Sequence, residues 1–318
     1  MARHTPVIVT EFDLPPSPMA TEEELRHRRP PLRLGAVQER WHPDPEEHEA
    51  ALAAGIRIAV GLGATVVCLP ELTLSPYFAA DPGTDAAHRA SAEPIPDGRT
   101  TRFAARMAAE TGAWVQASLH EAAPDGRLFN TAVCVAPSGE VVARTRKLHI
   151  PAFPGYHEDR YFLPGDGGYP VVRLGDAAFG FPTCWDQWFP EVARGYGLAG
   201  ADVVVYPTAI GSQPDQPGFD SRPIWEQVIV ANGIMNATFM VAVNRTGDEG
   251  RVRFYGSSFV SDPYGRVLAR APRDAPAVLV VDLDLDQGRD WHRFGMFETR
   301  RPEAYGPLTA DVPTRAGS

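Results

Sequence analysis

Lys147 is the only lysine among the 30 basic residues of this chain; every other one is arginine. Arginine is a planar fork that stays charged, whereas lysine is a compact ammonium whose proton can move. A second candidate, Cys184, follows the apolar run Ala178–Phe181 and precedes Trp185-Asp186-Gln187-Trp188-Phe189-Pro190-Glu191, with a helix expected from Pro190. A cysteine at such a junction gains from unpaired backbone N–H groups, which favour a thiolate and can hold an oxyanion. Glu71 closes the run Val66-Val67-Cys68-Leu69-Pro70, at the C-terminal end of a buried strand, where α/β sites gather. Three strands thus end in an acid, an amine and a thiol. Acyl transfer through cysteine needs these groups: a base for the thiol proton, a cation for the oxyanion, and the nucleophile. Singly, each has a plainer reading as a loop carboxylate, a surface lysine or a buried inert thiol. Cys68 and Cys134, inside apolar runs, keep that last reading.

The elements that must position these groups alternate between short β-rich runs and longer helical stretches, the pattern of an α/β chain. Strands are expected at Arg33–Gln38, Thr65–Pro70, Trp114–Glu121, Phe129–Ala136, Val141–His149, Pro170–Leu174, Ala178–Cys184, Asp202–Pro207, Phe239–Asn244, Tyr255–Ser261, Val267–Arg270 and Val278–Leu283. Helices are expected at Glu46–Leu62, Thr100–Thr111, Pro190–Leu198 and Pro223–Asn236. So many strands with so few helices point to two packed sheets with helices outside. Residues 1–31, proline-rich and charged, read as an extension outside the main domain at 32–297. The tail at 298–318, with Pro302, Pro307 and Pro313, reads as irregular and suited to crossing a partner subunit.

A formal charge of −10 argues against nucleic acid or an anionic membrane as partner. Three scattered cysteines suggest neither a disulfide framework nor a zinc knuckle. No run approaches the roughly 18 apolar residues of a membrane span, and the N-terminus lacks a secretory apolar region, so the chain reads as cytoplasmic.

Leu69-Pro70-Glu71-Leu72, Arg146-Lys147-Leu148-His149-Ile150-Pro151 and Cys184-Trp185-Asp186-Gln187-Trp188-Phe189-Pro190-Glu191 resemble the three signature motifs of the carbon–nitrogen hydrolase, or nitrilase, superfamily. The likeness extends to Tyr156-His157-Glu158-Asp159-Arg160-Tyr161-Phe162, Tyr206-Pro207-Thr208-Ala209-Ile210-Gly211 and Val243-Asn244-Arg245. Within the superfamily the cysteine segment and Tyr-Pro-Thr-Ala-Ile-Gly are most similar to the N-carbamoylputrescine amidases. The resemblance implies a four-layer α-β-β-α sandwich, homo-oligomers of dimers or larger, and neither metal nor organic cofactor. It also implies Glu71 as general base, Lys147 as the cation beside the oxyanion, Cys184 as nucleophile, and Glu158 as a second glutamate positioning substrate and lysine.

Expected substrate contacts are Tyr77, Trp185, Asp186 and Trp188, with Tyr156 and Phe189 as further aromatic walls and Asp159 and Glu191 as further acids. The expected reaction cleaves a small carbamoyl amine. Other C–N substrates (N-carbamoyl amino acids, terminal amides, nitriles), a silent binding subunit, and a cysteine-protease-like enzyme using His149 or His157 stand as alternatives. One departure from the resemblance is Pro182, which would remove a backbone donor from the strand before Cys184 and invite a bulge. Lys147→Arg keeps the charge but replaces a point by a fork, and should lose most turnover in steady-state ammonia release; near wild-type turnover would remove Lys147 from the oxyanion role.

Overall fold

The structure, a computed structural model, describes residues 5–83 and 91–310. Two mixed sheets lie face to face. The first runs in the order Val7–Glu11, Ala277–Leu283, Leu32–Gln38, Val66–Cys68, Trp114–Ala122, Leu128–Val135, Val141–Arg146. The second runs Val267–Arg270, Phe259–Ser261, Phe239–Asn244, Val203–Thr208, Ala177–Gly180, Val171–Leu174.

Strand alternation decides which side chain enters which layer. Leu34, Ala36, Cys68 and Cys134 of the first sheet meet Phe179, Val203, Val205 and Val241 of the second in the central layer. Their neighbours Val37, Val67 and Val115 point the other way, under the helices Pro45–Gly61 and Arg99–Thr111. Val204, Tyr206 and Met240 likewise face Pro190–Leu198 and Arg222–Asn236. Both sheets are therefore covered on both sides, which is why their strands read as continuous apolar runs rather than alternating ones. The result is a four-layer α-β-β-α sandwich. Local signals fix the helix starts: Asp44 accepts from Glu46 N and Glu47 N at 2.8 and 3.2 Å with Pro45 at the first helical position.

Four expectations need correction. Residues 1–31 are not wholly outside the domain, because Val7–Glu11 pairs in parallel with Ala277–Leu283 and becomes the edge of the first sheet. The charged stretch within this expected extension is also docked. Arg28 is ion-paired with Asp284 and Asp290, and Arg29 with Asp286, on or beside a helix at Asp286–His292 that the sequence pattern did not reveal. Pro182 costs no ladder bond, since the strand ends at Gly180 and the proline lies beyond it. Tyr255–Ser261 is two short strands, Arg253–Tyr255 and Phe259–Ser261, separated at Ser257, whose φ is 59°. The tail forms short 3-10 turns at Pro302–Ala304 and Gly306–Thr309, and its residues 311–318 lie outside the described residues.

The last residue of that strand before Pro182, Gly180, has no room for a side chain, because a Cβ there would stand 2.2 Å from the buried ring of Tyr196. Gly180→Ala should therefore overpack this contact and cost about 1–3 kcal/mol, read as a lower urea midpoint at unchanged slope; an unchanged midpoint would mean the ring moves freely.

Candidate active site

The strand ends converge on one buried cluster. Lys147 follows the last residue of Val141–Arg146, and its backbone N–H donates to Asn130 O at 2.8 Å on the neighbouring strand. This fixes the root of the side chain. Its Nζ, wholly buried, lies 2.8 Å from Glu71 Oε1 and 2.8 and 2.7 Å from Glu158 Oε1 and Oε2. Asn130 Nδ2 donates to Glu71 Oε1 at 2.7 Å, and the Tyr77 hydroxyl donates to Glu158 Oε1 at 2.9 Å. The three donors of one ammonium thus converge on three oxygens around a point, a geometry that a flat guanidinium does not offer.

Every other oxygen of the two carboxylates is occupied, but Glu71 Oε2 is buried and has no hydrogen-bond partner among the described residues. A buried carboxylate oxygen left unpaired is costly, which sets Glu71 Oε2 apart from the other three oxygens of the pair.

Cys184 completes the cluster. Its backbone has φ 41°, the left-handed region that costs a side-chain-bearing residue about 1–2 kcal/mol, and it opens the 3-10 turn Cys184–Trp188. Its Sγ lies 3.8 Å from Ala209 O. Burial pushes the Cys184 thiol well above the usual range and the Glu71 charge adds to this, against the pull of Lys147. Burial would pull the Lys147 ammonium down, but the Glu158 and Glu71 carboxylates and Cys184 outweigh it and hold its pKa above the ordinary lysine value. Glu158 is pushed up by burial, drawn back by Lys147 and raised again by Glu71, ending at about 7. With two carboxylates already sharing one ammonium, a thiolate would add a further buried negative charge, so Cys184 rests as the thiol.

Of the expected substrate contacts, Trp185 and Trp188 line the small cavity beside Cys184, together with Phe153, Tyr156 and Gln213. Its volume of about 30 Å³ is room for a group the size of roughly two waters. Tyr77 does not line it. Its ring packs against Phe254 and Tyr156 at 5.6 and 5.8 Å, and its hydroxyl is spent on Glu158. Asp186 is also corrected: its carboxylate accepts from Thr183 N (3.1 Å), Leu148 N (3.3 Å), His149 N (2.9 Å) and His149 Nδ1 (2.8 Å), and it is buried away from the cavity. It ties the residues after Lys147 to the residue before Cys184. Asp159 and Glu191 are exposed. His149, bonded to Asp186 and stacked on Phe189 at 3.6 Å, makes no hydrogen bond to Cys184, so the acid near the thiol is a glutamate.

Asn130 was missed by sequence reasoning; the signal was a lone amide inside the apolar strand Leu128–Val135, where a buried polar group requires a partner. Among the described residues, no group of three or more His, Cys, Asp or Glu is arranged to hold a metal ion, and no helix is long and apolar enough to cross a membrane.

The layered fold and this acid, amine and thiol cluster define a carbon–nitrogen hydrolase acting on amide or ureido bonds, and the chain belongs to the carbon-nitrogen hydrolase family, whose model matches residues 33–293. Among its relatives, N-carbamoylputrescine amidase of Solanum lycopersicum is 36% identical over 286 residues, covering 87% of this chain and 94% of the relative. Citrullinase of Francisella tularensis is 33% identical over 285 residues, covering 87% and 98%. A solved carbon-nitrogen hydrolase from Helicobacter pylori G27 superposes with a TM-score of 0.79 at 27% identity, covering 88% of this chain and 99% of that one. An amidase from Nesterenkonia sp. gives 0.69 at 25%, covering 87% and 96%.

The raised pKa of Glu158 has a signed consequence. Folded Glu158 holds its proton up to pH about 7, whereas the unfolded carboxyl loses it near 4.5, so its contribution to stability is full below 4.5 and is lost as pH rises to about 7. Measured against Glu158→Gln by urea unfolding, the wild type should lose relative stability between pH 4.5 and 8, by about 3 kcal/mol at most; a difference independent of pH would overturn this.

Proposed function

We propose that the chain hydrolyses the carbamoyl group of a small N-carbamoyl amine, N-carbamoylputrescine being the substrate that fits best, through a covalent intermediate on Cys184. The observation that carries the reading is Glu71 Oε2, a buried carboxylate oxygen without a partner among the described residues, in electrostatic contact with a buried neutral thiol. Glu71 accepts the Cys184 proton as Sγ attacks the carbonyl carbon, so charge moves from carboxylate to sulfur and on to the oxyanion without a free thiolate accumulating. Lys147 and the Trp185 backbone N–H face that oxyanion. The tetrahedral intermediate expels ammonia, which takes the proton from Glu71. Water, giving a proton to the same carboxylate, then cleaves the thiocarbamate; Cys184 recovers its proton, and the released carbamate decomposes to amine and carbon dioxide. Glu158 keeps the ammonium in place throughout, and Tyr77 holds Glu158.

The choice of tail follows from the cavity wall. The cavity itself is sized for the carbamoyl group, and the rings that wall it, Phe153, Tyr156, Trp185 and Trp188, offer apolar faces to a methylene chain leading out of it and cation–π contact to a distal ammonium. Among the described residues that line this cavity there is no arginine to meet a tail carboxylate. The likeness to N-carbamoylputrescine amidases supports the same choice.

Ammonia release should be greatest with N-carbamoylputrescine and at least about tenfold lower in kcat/KM with citrulline, a terminal ω-amide or a nitrile, given about 1.4 kcal/mol for one lost or unpaired charge contact. Intact-mass spectrometry should find the adduct on Cys184 and none after Cys184→Ala. An adduct on Cys68 or Cys134, or preference for an acid-bearing substrate, would refute the mechanism or the substrate respectively.

A further inference from the structure

The ion pair between Arg245 and Glu249 is almost wholly buried, with side chains 3% and 8% exposed and Nε 3.1 Å from Oε1. No step above uses it. Arg245 follows Phe239–Asn244 in the second sheet, and Glu249 lies just beyond the short strand Thr246–Asp248. Both side chains reach the loop after Glu71, which issues from the first sheet: Arg245 Nη2 donates to Ser75 O at 2.9 Å, and Glu249 Oε2 accepts from Tyr77 N at 2.8 Å. The guanidinium also stands 5.4 Å from the Phe254 ring, whose face or edge meets Tyr77 in a T-shaped contact at 5.6 Å.

We propose that Arg245 and Glu249 are positioning residues that fix the Ser75–Tyr77 backbone so that the Tyr77 hydroxyl holds Glu158, and through Glu158 set how Lys147 is shared between the two carboxylates. The chain of contacts is continuous: Arg245 and Glu249 to Ser75 and Tyr77, Tyr77 to Glu158 at 2.9 Å, Glu158 to Lys147 at 2.7 and 2.8 Å. A buried ion pair is weak as a source of stability, since well-packed apolar groups serve as well. This one instead directs its spare donor and acceptor at backbone groups on either side of Pro76, holding in register two segments that belong to different sheets. The groups around Glu158 are Lys147, Tyr77, Asn130, Glu71, Cys184 and Tyr156. Of these, Tyr77 is the one whose backbone the pair grips.

The inference rests on the function proposed above, and the experiment separates the two. Full-length wild type, Glu249→Gln, Tyr77→Phe and the double variant are compared by ammonia release from N-carbamoylputrescine and by the pH dependence of Cys184 alkylation with iodoacetamide, which needs no substrate. Each single variant should lower kcat about tenfold with KM nearly unchanged, and the double should be no worse than the poorer single, since both break one chain. Loss of the tyrosine donor makes Glu158 easier to protonate, which removes a negative charge facing the Cys184 thiol, so the acid limb of alkylation should move to lower pH by the same amount in all three. If the effects multiply, or if Glu249→Gln lowers thermal stability while the acid limb stays in place, the pair is only a brace and the inference fails. Arg245→Lys, which keeps the charge but loses the fork, provides the same readouts should Glu249→Gln not fold. A wild type that is alkylated with this pH behaviour but releases no ammonia would refute the substrate and leave the inference standing.

Discussion

The ammonium of Lys147, buried between Glu71 and Glu158, is the interaction on which the site is built. A lone buried charge of either sign would be expelled or neutralised. Around this ammonium each carboxylate oxygen but one is hydrogen-bonded, by Lys147 itself, by Asn130 within its strand and by the Tyr77 hydroxyl. The remaining oxygen, Glu71 Oε2, has no partner among the described residues, and burial together with the Glu71 charge pushes up the Cys184 thiol that faces it.

This cluster explains why two sheets are needed. Glu71 and Lys147 issue from the first sheet, Cys184 follows a strand of the second, and no single sheet brings all three together. Asp186 is the link between them at the level of the backbone, using one carboxylate to collect donors from beside the lysine and from beside the cysteine. The left-handed backbone at Cys184 is stored strain that such a link can sustain.

Much of this was legible in the sequence, for a physical reason. Glu71 and Cys184 follow apolar runs and stand out against them, and Lys147 stands out as the one lysine of the chain at the end of a strand. Asp186 misled because an acid two residues from the cysteine looks like a ligand for a cationic tail, whereas a tight turn also exposes backbone N–H groups that only an acceptor can satisfy. Asn130 lay hidden because its partners are distant in sequence. The edge strand Val7–Glu11 was masked by the prolines and charges that follow it, and Arg28 and Arg29 gave no hint that their acids would come from Asp284, Asp286 and Asp290.

That edge strand also has a bearing on synthesis. Val7–Glu11 is made first but pairs with Ala277–Leu283, and the same late strand is the antiparallel partner of Leu32–Gln38. As the chain leaves the ribosome, Val7–Glu11 and one edge of Leu32–Gln38 must wait until Ala277–Leu283 has been made before those hydrogen bonds can close. The strands that carry Glu71, Asn130 and Lys147 lie on the other flank of Leu32–Gln38 and can zip up from neighbours already made. The half of the first sheet that carries these three residues is therefore free to assemble early, and Ala277–Leu283 acts as the clasp that draws Val7–Glu11 onto it.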